Sequence, residues 1–140
     1  MNCLDLARER VEQAAGLPAL LDASYAAFML LLPVIEHQQD PASPWFVPYV
    51  MAGSAAAGGR LALLDAPSLP QVSRALGFPA PGHQPASETA AAVAALAGVL
   101  AVRLDSAAIA AGQPEDRRAC ALAARCARDL KARLGWTPPP

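Results

Sequence analysis

Glu36, His37 and Asp40 form the tightest cluster of side chains able to ligate a metal or move a proton. In helical bundles, divalent metals are held by carboxylates and Glu-x-x-His pairs that project inward from several helices. Here Glu36 directly precedes His37, so on a helix the two point about 100° apart, and no second such pair occurs. His83 stands in a proline-rich stretch with no acid beside it. There is no Gly-x-Ser-x-Gly elbow for a nucleophilic serine. Gly53, Gly58 and Gly59 lie in an apolar run with no strand before them, unlike a phosphate-binding loop. Paired carboxylates can still be assembled in three dimensions. The expectation is no metal, no cofactor and no assigned catalytic residue, with a small helical enzyme as the last of three functional readings.

The three cysteines, Cys3, Cys120 and Cys126, show neither a CxxC motif nor a disulfide framework. On one straight helix Cys120 and Cys126 diverge by about 120°, too far to pair. Both fall on an apolar arc and are expected in the core as small hydrophobes. Cys3, near the terminus, is expected to be exposed and oxidisable. Unpaired thiols fit a reducing cytoplasm. The start, MNCLDLARERVEQ, carries acids and lacks the basic, then apolar pattern of a signal peptide.

Five of the seven aromatic residues cluster: Tyr25, Phe28, Trp45, Phe46 and Tyr49. They straddle a turn between two expected helices. The ordinary reading is a packed core layer. The alternative is the wall of an apolar ligand pocket between helices 2 and 3, with Tyr25, Trp45 and Tyr49 as hydrogen-bonding handles and His37 or Arg60 at the rim.

The elements that must position these groups are all helical. Leu4, Leu6, Ala7, Val11 and Ala14 share helical spacing in a first helix over about 3–15, ended by Gly16 in a left-handed cap. Pro18 opens a second, about 18–39, in which Pro33 is expected to cause a kink or break. Ser43 and Pro44 can start a third, though Pro48 blurs this start and puts an alternative beginning of the regular helix nearer 47; it runs through Val50, Met51, Ala55, Leu61 and Leu64 to about 65. Its AGSAAAGG run suggests close approach of another backbone. Ser68 is placed to cap a short helix over 69–76, and residues 77–86 form a proline- and glycine-rich connector. Ser87 is placed to cap a long helix over 88–111. Pro114 opens the last, 114–134, with Glu115 and Asp116 at its positive end. The sum is an all-α fold: an antiparallel bundle of four to five principal helices plus one short helix, one domain over 1–135, and a proline-rich tail over 136–140.

Composition agrees. Hydrophobic residues are 54% and charged residues 16% of the 140, which excludes disorder. A chain of this size buries roughly two-thirds of its unfolded surface without help from metals or disulfides. The Ala, Arg, Pro and Leu bias, with one lysine, resembles that of proteins from high-GC bacteria. The apolar stretch over 89–102 is shorter than the roughly 20 residues of a spanning helix, so no membrane span is expected. A net charge of −1 gives no general attraction to nucleic acid or anionic membrane. Charge is uneven, however: Arg117, Arg118, Arg125 and Arg128 give the last helix a basic face, a candidate surface for an acidic protein partner. The helix over 88–111 is apolar nearly all round, through Val93, Leu96, Val99, Leu100, Val102, Leu104 and Ile109. Such a helix is central in its domain or lies in an interface between copies. The leading expectation is a cytoplasmic bundle acting through protein–protein contacts, as an assembly, adaptor or regulatory subunit that forms a homodimer.

Overall fold

The computed structural model describes residues 2–71 and 84–135. The expected helix over 69–76 lies mostly outside them, as do His83, Trp136 and the rest of the tail. Among the described residues there are five α-helices: α1 (Cys3–Gln13), α2 (Leu17–His37), α3 (Phe46–Leu64), α4 (Ala86–Ala110) and α5 (Pro114–Leu134). Among the described residues there is no strand.

Local chemistry explains each boundary. The Asp5 amide donates to Asn2 Oδ1 at 2.9 Å and the Asn2 amide to Asp5 Oδ2 at 3.2 Å, a reciprocal cap that starts α1. Gly16 has φ +86° and ψ 159°, so it turns the chain as expected, but in an extended mirror region open to glycine rather than the left-handed helical one. Pro33 neither breaks nor ends α2, which continues to His37. It lies on the exposed side, where water replaces the missing backbone donor. α3 starts at Phe46, two residues past Pro44 and beside the later start expected near 47; the Ser43 hydroxyl accepts from the Trp45 amide at 3.1 Å. Pro48 fits the first turn because amides there have no helical partner. α4 begins at Ala86 after Pro85, so Ser87 lies inside the first turn rather than capping it. In α5 the acids Glu115 and Asp116 fall in the first turn and Lys131 and Arg133 in the last, matching the helix dipole.

Neighbours in space follow a ring: α2 packs on α3, α3 on α5, α5 on α4, and α1 fits between α4 and α2. Short connections make α2–α3 and α4–α5 antiparallel hairpins. The inner face of α3 is built from Tyr49, Ala52, Ala55, Ala56, Gly59 and Leu63. Small side chains there let the larger ones opposite reach in. The ring of Phe28 fills the space beside Gly59, where an added Cβ would come within 2.4–2.8 Å of three ring carbons. The buried side of α4 is larger: Val93, Leu96, Leu100 and Leu104.

α2 and α4 are both long and apolar enough to cross a membrane, a reading that the 14-residue stretch in the sequence did not suggest. α2 is mostly buried among its neighbours, as a core helix of a bundle is, and α4 less so.

Candidate interaction surface

The aromatic cluster is largely packed. Phe28 and Tyr49 are fully buried and Trp45 nearly so; Tyr25 and Phe46 are partly covered. Trp45 and Tyr49 meet with ring centroids 6.0 Å apart at 52°. The Tyr49 hydroxyl donates to the Ala86 carbonyl at 2.6 Å, tying α3 to the start of α4. Gln38 Nε2 donates to the Gln84 carbonyl at 3.1 Å and to Thr89 Oγ1 at 3.3 Å, so the end of α2 joins the same polar knot. The tyrosine handle is therefore spent on the fold. His37 is exposed and borders a small niche beside Asn2, Val34 and Thr89, and Arg60 is half-buried on α3.

The larger cavities found among the described residues have other walls. One of about 430 Å³ lies between the start of α2 and the end of α4, lined by Leu17, Leu20, Arg103, Ala107 and Ala110. Arg103 also donates to the Ala14 carbonyl at the end of α1. Two more, about 430 and 350 Å³, form a groove between α3 and α5. No group of three or more His, Cys, Asp or Glu side chains able to hold a metal occurs among the described residues.

The cysteines correct two expectations. Cys3 is buried, not exposed, because it sits on the inward side of α1's first turn. Cys126 is only half-buried; it opens into the α3–α5 groove, 3.2 Å from where a Cβ on Gly58 would stand. Cys120 is in the core as expected. Burial, with the Asp116 carboxylate adding to it, pushes its thiol up to about 11. Burial likewise raises Cys3, Cys126 and Tyr49. The folded state thus holds the Cys120 proton past pH 9.0, where an unfolded thiol loses it. Such a group supports the fold fully below its unfolded pKa, and that support is lost as pH rises towards the folded one. The urea midpoint is expected to fall between pH 9 and 11, and Cys120→Ala to lose less over that interval. A midpoint that stays level in the parent contradicts this account.

The basic face is smaller than its sequence promised. Arg117 donates to the Ala111 and Gly112 carbonyls at 3.2 and 3.4 Å, closing the end of α4. Arg128 pairs with Asp105 at 2.5 Å. Arg118 and Arg125 remain outward, with no ion pair among the described residues, and both border the α3–α5 groove.

Among the described residues, five of the eight exposed large apolar side chains lie on the other side of α3. Val50, Met51, Leu61 and Leu64, on which the sequence reading built the third helix, are exposed at 41, 39, 55 and 49%, and Val47 at 64%. On α4, Val102 and Ile109 are exposed at 68 and 85%. The signal for α3 was present as two apolar stripes on one helix. The AGSAAAGG run, read as a place of close approach, supplies the inward stripe, and the larger side chains are left on the outer one.

No protein-family model matches the chain, and neither a curated protein nor a solved structure matches it.

Proposed function

We propose that this protein is a helical interaction module that works by protein–protein contact, with a second copy of itself as its first partner. The observation that carries this reading is the solvent-facing side of α3, where Val47, Val50 and Met51 near its start and Leu61 and Leu64 near its end are all exposed on one arc and Arg60 is the helix's one charged residue. Large apolar side chains gathered on one exposed helix side mark an interaction site. Scattered single exposures, such as Leu122 on α5, need no such explanation. The homodimer expected from α4 is thereby moved chiefly onto α3. The unpaired thiols fit a role in the cytoplasm.

Sedimentation across a wide concentration range tests the reading. The parent chain is expected to dimerise. Val47→Glu with Leu61→Glu is expected to weaken the dimer at least tenfold while leaving helicity and melting temperature near the parent's, since exposed substitutions cost little. Val102→Glu on α4 is expected to change little. A parent that is monomeric at every concentration overturns the proposal.

A further inference from the structure

Arg103 is a cation with little to balance it. It stands half-buried on α4, and among the described residues its one hydrogen-bond partner is the neutral Ala14 carbonyl at the end of α1. Its Nε is shut away from water with no acceptor. An arginine withdrawn from water ordinarily meets a carboxylate, often through two parallel hydrogen bonds. Here the nearby acids are engaged elsewhere. Asp105 pairs with Arg128, Glu12 with Arg8, and Glu9 accepts from Gln13. Asp116 holds Ser68, Glu115 borders the α3–α5 groove, and the first turn of α2 has no acid.

The same side chain lines the cavity of about 430 Å³ between the start of α2 and the end of α4. Leu17, Leu20, Ala107 and Ala110 give it apolar walls, Ser106 is its one hydroxyl and Arg103 its one charge. Pockets for small molecules have this size and this make-up, apolar walls with a few polar groups. The two helix ends beside the cavity oppose each other in sign. α2 brings its positive end, capped by no side chain, and α4 its negative end, where Arg117 already takes the Ala111 and Gly112 carbonyls. The guanidinium of Arg103 therefore sets the preference of the cavity.

We infer that this cavity binds a small carboxylate with an apolar tail. The carboxylate pairs with Arg103 and supplies the counter-charge that the protein itself does not, and the tail lies against Leu17, Leu20 and Ala107. Both halves of the ligand are needed. A carboxylate without a tail gains only an ion pair partly open to water, which is worth little. A tail without a carboxylate leaves the guanidinium beside an apolar group, at a cost in desolvation. No residue of α3 lines the cavity, so the site does not depend on self-association.

Titration calorimetry and melting curves with octanoate, acetate and 1-octanol test this. Octanoate is expected to bind the parent chain and raise its melting temperature. Acetate and 1-octanol are each expected to bind at least tenfold more weakly. Arg103→Gln is expected to lose tenfold or more in octanoate affinity. Arg103 also braces the end of α1, so that variant loses some stability as well. Ala107→Leu gives the independent reading: it fills the cavity with Arg103 in place, and is expected to abolish octanoate binding at a melting temperature near the parent's. Octanoate bound no better than acetate or 1-octanol overturns the inference, as does undiminished octanoate binding by either variant. No octanoate binding at any concentration below its micelle point also overturns it, and leaves Arg103 as a brace for α1 alone.

Discussion

Gly59→Val is expected to cost about 3 kcal/mol of unfolding free energy, the upper end for overpacking a filled core. A single added carbon at this position already meets Phe28 Cε1 at 2.4 Å, Cζ at 2.5 Å and Cδ1 at 2.8 Å. The ring has no room to yield, because Phe28 is fully buried and aromatic rings do not bend. Glycine in a helix interior ordinarily destabilises by about 1 kcal/mol relative to alanine, so a replacement should help wherever space allows. Gly98 provides that contrast. A Cβ there would stand 3.6–3.8 Å from the Lys131 side chain, an ordinary contact, and Gly98→Ala is expected to raise stability by about 0.5–1 kcal/mol. Phe28→Ala alone is expected to cost about 3–5 kcal/mol. Combined with Gly59→Val it should cost less than the sum, because the valine occupies part of the vacated space. Urea denaturation of the four variants reads all of this. Simple additivity at Phe28 and Gly59 would refute the packing account.

Asp116→Ala is expected to cost about 2–4 kcal/mol, from loss of a charged acceptor beside two donors. The carboxylate is 1% exposed. One oxygen accepts from the Ser68 amide at 3.0 Å and the other from the Ser68 hydroxyl at 2.6 Å. The same side chain sits in the first turn of α5, where negative charge is favoured. Asp116→Asn keeps one acceptor and is expected to lose about half as much. Ser68→Ala leaves the amide bond in place and should cost about 1 kcal/mol. Equal losses in all three variants, or none in Asp116→Ala, would show that this clasp does not hold the turn over 66–69 to α5.

The sequence made the helices legible through their punctuation. Proline or glycine stands near most boundaries, and charge follows the helix dipole in α5. The all-α bundle therefore emerged with boundaries within two or three residues. What stayed hidden depended on partners distant in the chain. Ser68 reads locally as a helix cap, but its hydroxyl goes to Asp116, 48 residues away. Val50 and Leu61 mark the third helix in the sequence but face outward, whereas Ala56 and Gly59 take the inside because Phe28 needs the space. Arg117 and Arg128 read as a docking face because carbonyls and Asp105 are invisible in a helical wheel. The alternative of an aromatic ligand pocket, set beside the reading as a packed core layer, rested on adjacency in sequence. The Tyr49 hydroxyl, spent on the Ala86 carbonyl, shows how little adjacency says about a free hydrogen-bonding handle.

The ring of helices also orders events in time. α2 with α3, and α4 with α5, are joined by brief turns, so each pair can zip from residues already near one another, at small entropic cost. The meeting of α3 with α5 must instead draw together the two ends of the stretch from residue 65 to residue 85. Newly made chain leaving a ribosome would then present the first pair, with its alanine-lined flank bare, before α5 exists to cover it. That interval, rather than the finished fold, is when this protein is most exposed to aggregation.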